Sequence, residues 1–326
     1  MDRLPVFSDV EDAARQIAGE AVRTPLLEND ALNELLGGRV LIKPESLQRT
    51  GSFKFRGAYN RLSRMTEDER AKGVVAFSSG NHAQGVALAA RLLGMPAIIV
   101  MPSDAPKIKS GGVRRLGGEV VEFDRETEDR EKVSAEIVDR TGAILVPSYD
   151  DPYIIAGQGT AALEAAQDLK ALNIVPDQFV CCAGGGGLIA GCGLAMKHFF
   201  AGCDILAAEP EGFDDHRRSL IAGERVANAR KSGSLQDAII TQIPGKLTFQ
   251  LNQTQLSGGV TATDDDTLDA LGFIWKHLKL VAEPGGATAF ASLLNGQAET
   301  RGRVTVALIT GGNVDPAVFK KALDRV

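Results

Sequence analysis

Short hydrophobic runs alternate with segments of helical periodicity along most of this 326-residue chain. Several runs are apolar at every position, which is typical of strands with both faces covered. Predicted strands lie at 74–77, 97–101, 119–123, 143–146, 178–182, 204–208 and 304–309. Predicted helices lie near 81–93, up to 115, 126–140, 157–172, 264–278, 286–294 and 315–323. The pattern predicts an α/β fold in which helices cover parallel sheets. The stretch 222–260 is polar, and residues 231–234 are predicted to be a loop.

Composition and charge narrow the class of protein. The chain is 44% hydrophobic and 24% charged, which is typical of a globular protein, and its length suits two domains. The net charge is −6 and no basic stripe is present, so nucleic acid is not an expected partner. There is no signal-peptide pattern at the N-terminus and no apolar run of 18 residues, so no membrane span is expected.

Four cysteines are present, Cys181, Cys182, Cys192 and Cys203. None of them forms a C-x-x-C pair, and no histidine stands at metal-ligand spacing from them. We interpret them as reduced thiols of a cytoplasmic protein.

Four consecutive glycines, Gly184–Gly187, follow a predicted strand and open a helix. Bare amides at a helix N-terminus can hold a phosphate group. The G-x-G-x-x-G and Walker spacings are absent, so a dinucleotide is not favoured. The alternative is a tight packing turn. The run Ser78-Ser79-Gly80-Asn81 also follows a strand, and either binds a second anion or simply caps a helix.

Lys54 stands between Phe53 and Phe55. An apolar setting lowers the pKa of a lysine and leaves its amine free to act as a nucleophile. The alternative is an exposed lysine in a loop.

Taken together, these residues resemble fold-type II pyridoxal-phosphate enzymes, which are similar to the tryptophan synthase β subunit, and in particular the serine/threonine dehydratase and serine racemase group. The resemblance covers nearly the whole chain. The segments that carry it are 23–26, 43–48, 52–58 (Ser-Phe-Lys-Phe-Arg-Gly-Ala), 78–82, 156–160, the glycine run and 312–315.

The resemblance implies a role for each residue of the cofactor site. Lys54 would hold pyridoxal phosphate as a Schiff base and later act as a base at Cα, while Phe53 would pack on the ring. Asn81 would bond the phenolic oxygen and Thr310 would meet the pyridine nitrogen. The phosphate would lie on backbone amides of Gly184, Gly185, Gly186, Gly187 and Leu188.

The substrate side of the site is implied in the same way. Ser78, Ser79 and His82 would bind the substrate carboxylate. The neutral hydroxyl of Thr310 leaves the ring nitrogen largely unprotonated, which favours β-elimination over a long-lived carbanion. Arg130 would either reach a second substrate carboxylate or be a solvated helix charge.

Glu209 and Asp215 resemble the divalent-cation site of the same group, in which the carbonyl of Phe213 would be a third ligand and Mg²⁺, or another divalent cation, the ion. The alternative is that these acidic residues cap a helix.

The reaction that the resemblance implies is dehydration and deamination of a small 3-hydroxy amino acid, such as L-threonine or L-serine, to a 2-oxo acid and ammonia. Dehydration of 3-hydroxyaspartate is an alternative that depends on Arg130. Serine racemization is another, because Ser79 occupies the place of the racemase acid. A cysteine-synthase type of β-replacement and a non-catalytic partner protein on the same fold also stay open.

The expected organisation has two domains with the cofactor between them. Residues 73–149 would form a small mobile domain, and residues 1–72 plus 150–326 a large domain that anchors phosphate and metal. A cytoplasmic homodimer with a small amino-acid substrate is expected from the resemblance.

Overall fold

The computed structural model describes residues 3–78, 80–105, 107–124 and 126–326. The strands are β1 Leu27–Glu28, β2 Arg39–Pro44, β3 Val74–Phe77, β4 Ala97–Pro102, β5 Glu119–Phe123, β6 Ile144–Leu145, β7 Gln178–Cys182, β8 Asp204–Pro210, β9 Gly258–Ala262 and β10 Val304–Ile309. The helices are α1 Phe7–Gln16, α2 Asp30–Leu36, α3 Lys54–Leu62, α4 Glu67–Lys72, α5 Asn81–Leu92, α6 Lys107–Arg115, α7 Arg130–Thr141, α8 Pro152–Ala171, α9 Gly187–Phe199, α10 Asp215–Ala222, α11 Lys246–Gln255, α12 Asp264–Phe273, α13 Pro284–Leu294 and α14 Pro316–Leu323.

Two sheets organise these elements. One has six strands in the order β1-β2-β10-β7-β8-β9, and the other has four in the order β5-β4-β3-β6. All neighbours are parallel except β1 and β2, which are antiparallel. The four-stranded sheet is built from residues within 74–145, so it falls inside the segment predicted as the small domain. The domain boundaries and the mobility of that segment stay predictions.

Both faces of the large sheet are covered, as the uniformly apolar strands predicted. All five residues of β7 are buried, and successive side chains enter opposite cores. Cys181 and Cys182 therefore lie in different cores, which explains why two adjacent thiols remain unbridged. All four cysteines are buried and free, which agrees with the prediction.

Several predicted boundaries are wrong, and capping explains two of them. The helix expected from residue 126 begins at Arg130, because Asp129 accepts hydrogen bonds from the first-turn amides. The helix expected from 157 begins at Pro152, where Asp151 is the cap and proline suits the first position. The polar stretch 222–260 contains α11 and most of β9, which the prediction missed. The α-helix expected over 264–278 ends at Phe273, as α12, and a π-helical turn, Ile274–Leu278, follows it.

A buried ion cluster fixes the helix that carries Lys54. The Arg56 guanidinium donates to Glu45 (Nε to Oε2, 2.7 Å) and to Glu164 (Nη1 to Oε1, 2.7 Å). Lys43 Nζ donates to Glu164 Oε2 at 2.7 Å, and Thr24 donates to Glu45. Two cations and two carboxylates balance one another, as buried charges must. The cluster links α3 to β2 and α8. It therefore brings the segments 23–26, 43–48 and 52–58 into contact in the folded chain.

Residues 148–151, here called the 148–151 segment, lead from β6 of the small sheet to α8. The Asp150 carboxylate accepts hydrogen bonds from the amides of Lys246 and Leu247, both at 2.9 Å, so it caps α11. The next residue, Asp151, caps α8 and pairs with Arg61 of α3. The crossing between the sheets is therefore anchored to three helices. None of the helices in the described part of the chain is both long and apolar enough for a membrane span.

Candidate active site

Lys54 is the first residue of α3, and the residues just before it contact the segment that follows β10. An isolated bridge joins Ser52 to Gly311, and the Phe53 amide donates to the Thr310 carbonyl at 3.1 Å. These contacts hold the start of α3 against the end of β10. The Lys54 amine donates to the Ser148 carbonyl at 2.7 Å and lies 5.1 Å from the centroid of the Phe53 ring. Lys54 is thus a half-buried residue at a helix start rather than an exposed lysine in a loop, and its role stays a prediction.

Burial lowers the pKa of Lys54 to about 8. Desolvation disfavours the ammonium form, and the neutral Ser148 carbonyl does not offset this effect. A substantial fraction of the amine is therefore neutral near physiological pH. A neutral amine is the form that attacks a carbonyl carbon or accepts a proton.

We expect the pKa of Lys54 to be visible in the rate at which cofactor-stripped protein takes up pyridoxal phosphate. The rate should rise with pH and level off above about 8, because the neutral amine is then the main form. An ordinary lysine, with a pKa of about 10.4, would continue to gain rate well beyond that. Stopped-flow absorbance over this pH range measures the rate, and N-acetyl-lysine corrects for titration of the cofactor itself. A rate that still climbs past pH 10 in the protein would contradict the lowered pKa.

Asn81 is the first residue of α5, and both the nitrogen and the oxygen of its side-chain amide form hydrogen bonds. Its Nδ2 donates to the Glu283 carboxylate, and its Oδ1 accepts from Asn313 Nδ2 at 2.7 Å. Asn313 Nδ2 also lies 2.7 Å from the Thr50 carbonyl. A Cβ at Gly311 would lie 2.1 Å from Glu283 Oε1, so any larger residue there would push this carboxylate away from Asn81. The cluster fixes the direction of the Asn81 amide.

Glu283 and Asn313 were not predicted as site residues. Asn313 could have been found, because it lies in the 312–315 segment that carries the resemblance. Thr310, which was predicted, is almost buried at the end of β10, and its hydroxyl contacts the Cys182 thiol.

The four glycines connect β7 to α9 and lie against Tyr149. A Cβ at Gly185 would stand 2.2 Å from the Tyr149 ring, and one at Gly187 would stand 2.9 Å from its carbonyl oxygen. Gly186 has a φ of +91°, a backbone conformation that residues other than glycine rarely adopt. Leu188 is buried in the first turn of α9. The first-turn amides of a helix have no partner within the helix, so this turn suits an anion.

Of the residues predicted for the substrate carboxylate, Ser78 directly follows β3 and His82 lies in the first turn of α5. His82 is buried, its Nε2 lies 3.0 Å from the Val146 carbonyl, and burial together with Lys54 lowers its pKa to about 3. His82 is therefore neutral and donates from Nε2, which leaves Nδ1 as an acceptor. The Ser78 hydroxyl accepts from the Gly80 amide at 3.2 Å. Ser79 lies outside the described residues.

Arg130 begins α7, and its guanidinium stacks on the Phe77 ring with 5.1 Å between Cζ and the centroid. Phe77 is the last residue of β3 and leads directly to Ser78. Burial and the neighbouring Asp150 raise the pKa of Tyr149, and the charge of the exposed Arg130 offsets part of this rise. The structure thus brings Arg130 towards the same region as the glycine turn and the 78–82 loop.

Glu209 and Asp215 lie together at the carboxyl end of β8, both buried. Glu209 accepts hydrogen bonds from the amides of His216 (2.8 Å) and Arg217 (2.9 Å), so it caps α10. Asp215 Oδ1 accepts from Asn228 Nδ2 at 2.8 Å. Burial, with Glu209 beside it, raises the pKa of Asp215 to about 7. Phe213 is buried next to them, and Arg230 stacks on its ring.

His216 joins this pair and was not predicted. The ligand atoms of Glu209, Asp215 and His216 lie within 4.8 Å of one another. Its position directly after Asp215 was the available signal, but a histidine next to an aspartate is too common a pattern to single out. The arrangement can hold a divalent cation between two oxygen ligands and one nitrogen.

Comparison with known proteins decides the family. A family described as pyridoxal-phosphate dependent enzyme matches residues 17–311. The chain belongs to this family. Among curated members, an L-threo-3-hydroxyaspartate ammonia-lyase from Pseudomonas sp is 42% identical, covering 96% of this chain and 97% of that protein. A serine racemase from Schizosaccharomyces pombe is 38% identical, with 96% and 95% covered.

Solved members of the family share the whole fold. A threonine deaminase from T.th. superposes with a TM-score of 0.90 at 39% identity, covering 95% of this chain and 99% of that one. The predicted fold-type II architecture is therefore confirmed, and so is the resemblance to the dehydratase and racemase group.

The residues present fit the cofactor of this family. Its aldehyde needs a primary amine with an appreciable neutral fraction, and the lowered pKa of Lys54, about 8, provides one. Its phosphate needs a turn of bare amides, which the glycines before α9 supply. A buried hydroxyl at Thr310 and the fixed Asn81 amide would meet the polar atoms of the ring.

Proposed function

We propose that this protein is a pyridoxal-phosphate-dependent ammonia-lyase that converts a small 3-hydroxy amino acid to a 2-oxo acid and ammonia. The observation that carries the proposal is the Lys54 amine, which donates to the Ser148 carbonyl at the start of α3 and whose pKa is lowered to about 8. The family membership and the full-length similarity to ammonia-lyases support it.

Each residue of the site has a proposed task. The glycine turn and Leu188 would hold the phosphate, Phe53 would pack on the ring, and Asn81 and Thr310 would orient it. Ser78, Ser79 and His82 would hold the substrate carboxylate. His82 fits as a neutral group, because burial and Lys54 lower its pKa to about 3.

The chemistry divides between cofactor and protein. When bound, pyridoxal phosphate supplies an electron sink for the pair released at Cα. The Lys54 amine takes the Cα proton, and the Ser148 carbonyl, 2.7 Å away, accepts a hydrogen bond that keeps this amine in place. The hydroxyl on Cβ departs with a proton as water. Hydrolysis of the resulting unsaturated amine returns that water and releases ammonia, so the net reaction yields a 2-oxo acid and ammonia.

The contact of Arg130 with Phe77 favours 3-hydroxyaspartate as the substrate. A guanidinium beside the 78–82 loop offers a partner for a second carboxylate, which serine and threonine lack. The similarity to an L-threo-3-hydroxyaspartate ammonia-lyase at 42% identity supports the same assignment.

The test is release of 2-oxo acid by the purified protein from L-threo-3-hydroxyaspartate, L-threonine, L-serine and D-serine, with Mg²⁺ and with EDTA. Rapid release from hydroxyaspartate supports the proposed substrate, and rapid release from threonine or serine alone moves the specificity to that amino acid. No release from any of them contradicts the lyase assignment. Chiral analysis of serine would then test racemization, for which Ser79 is the proposed second acid.

Arg130→Met is expected to lower kcat/KM for hydroxyaspartate about 10- to 100-fold, the loss of one charged hydrogen-bonded contact. Its kcat/KM for L-serine should stay within about twofold. The matched control is Arg140→Met, since Arg140 is an exposed arginine of the same helix. Equal losses for both substrates would contradict the specificity role of Arg130 while leaving the lyase assignment intact.

A divalent cation is proposed at Glu209 and Asp215, with the Phe213 carbonyl as a third ligand. Two buried carboxylates side by side support it, because a cation would neutralise both. Mg²⁺ is the ion that the resemblance implies. The homodimer and the cytoplasmic location stay predictions.

A further inference from the structure

We infer that His216 is a ligand of the divalent cation at Glu209 and Asp215, and that the site therefore selects a transition-metal ion over Mg²⁺. The inference concerns binding of the ion alone, so it stands or falls independently of the proposed lyase activity.

The first observation is distance. His216 Nδ1 lies 3.6 Å from Glu209 Oε1 and 3.9 Å from Asp215 Oδ2. These separations are too long for hydrogen bonds. They suit ligand atoms that share one ion, which are roughly 3 to 4 Å apart when each lies about 2 Å from the metal.

The second observation is that the inward-facing atoms lack partners. Within the described structure, no hydrogen bond reaches Asp215 Oδ2 or either ring nitrogen of His216, although all three atoms are buried. His216 is fully buried, and a buried polar atom without a partner is costly. One cation beside the carboxylates would satisfy His216 Nδ1 and Asp215 Oδ2 at once and balance the two negative charges.

The third observation is that the imidazole is confined. A Cβ at Gly186 would lie 2.4 Å from His216 Nε2, so the ring sits against the glycine turn. The His216 amide also donates to Glu209 at 2.8 Å, which fixes the backbone beside the carboxylates. The ring is thus held between the turn and the two acids.

The ligand chemistry sets the choice of ion. Mg²⁺ takes oxygen ligands and keeps several waters, whereas an imidazole nitrogen suits transition metals. A site of two carboxylates and one imidazole is therefore expected to favour Mn²⁺, Co²⁺ or Zn²⁺. The competing arrangement is a metal-free cluster in which His216 simply lies beside the two acids.

The experiment uses the cofactor-loaded protein after treatment with EDTA, and Mn²⁺ as the probe. Mn²⁺ has the charge of Mg²⁺ and is paramagnetic, so pulsed EPR detects a directly bonded nitrogen. We expect nitrogen coupling in the wild-type spectrum and tighter binding of Mn²⁺ than of Mg²⁺ by calorimetry. His216→Gln should abolish the coupling and weaken Mn²⁺ binding about tenfold or more, with little change for Mg²⁺. His198→Gln, a change at an exposed histidine, is the control.

Three results would overturn the inference. Mn²⁺ bound without nitrogen coupling would show a site of oxygen ligands. Unchanged Mn²⁺ affinity in His216→Gln would show the same. Absence of binding by either ion would favour the metal-free ion cluster. The wild-type spectrum decides the first point even if His216→Gln fails to fold.

Discussion

Replacement of Lys54 by alanine is expected to abolish both the visible absorbance of the bound cofactor and the release of 2-oxo acid. Lys54 is the proposed site of covalent attachment and the proposed base at Cα, so two functions disappear together. General-base catalysis alone contributes about 10² to 10⁴-fold, so kcat/KM should fall by at least ~10⁴-fold. Alanine removes the amine and leaves the helix intact, because it is the best helix former.

Absorbance and turnover of Lys54→Ala should be measured beside Lys170→Ala, a change at an exposed lysine of α8. The control should match the wild type in both. Far-ultraviolet circular dichroism establishes that each variant is folded. A retained cofactor band in folded Lys54→Ala would contradict the attachment site, and partial recovery of turnover with added ethylamine would support the role as base.

Gly185→Ala is expected to weaken binding of pyridoxal phosphate roughly 10- to 100-fold, which corresponds to the usual 1–3 kcal/mol of overpacking. The added Cβ would stand 2.2 Å from Tyr149 ring atoms next to the main chain, which a simple rotamer change does not clear. Either the ring or the turn must move, and the turn carries the amides proposed for the phosphate.

Equilibrium titration of cofactor-stripped protein measures this effect. Gly202→Ala is the control, because a Cβ at Gly202 meets nothing within 4 Å and its φ needs no glycine. The double variant Gly185→Ala with Tyr149→Ala should recover much of the affinity, since it removes the ring that causes the clash. Full affinity in the single variant would contradict a fixed turn against Tyr149.

The parts of the fold that were predictable depend on local pattern. The bounds of β3, β5, β7 and β10 were predicted residue for residue. Each of these strands is a short run rich in apolar and β-branched residues, a pattern that is typical of strands in a sheet core. The helix starts at Arg130 and Pro152 were misplaced, since aspartate caps compete with periodicity over a few residues. The stretch 222–260 was missed because α11 is largely polar and draws its cap, Asp150, from a distant part of the chain.

The residues of the candidate site also fall into two groups, those that local sequence patterns predict and those that they do not. Lys54, Asn81 and the glycine turn lie in compact segments whose order along the chain is informative. Glu283 reaches Asn81 across 202 residues of sequence, and Tyr149 reaches the glycine turn across more than 30. Such contacts depend on tertiary packing, which a single sequence does not reveal.

The 148–151 segment has a fixed length. Ser148 meets Lys54, Tyr149 meets Gly185, and Asp150 and Asp151 cap two different helices. One inserted residue would shift every later partner by about 3.5 Å, more than any of these contacts tolerates. Loop exchange, circular permutation and tag insertion should therefore avoid this crossing. The turns at Gly202 and Gly302, where a Cβ meets nothing within 4 Å, are the better places to open or extend the chain.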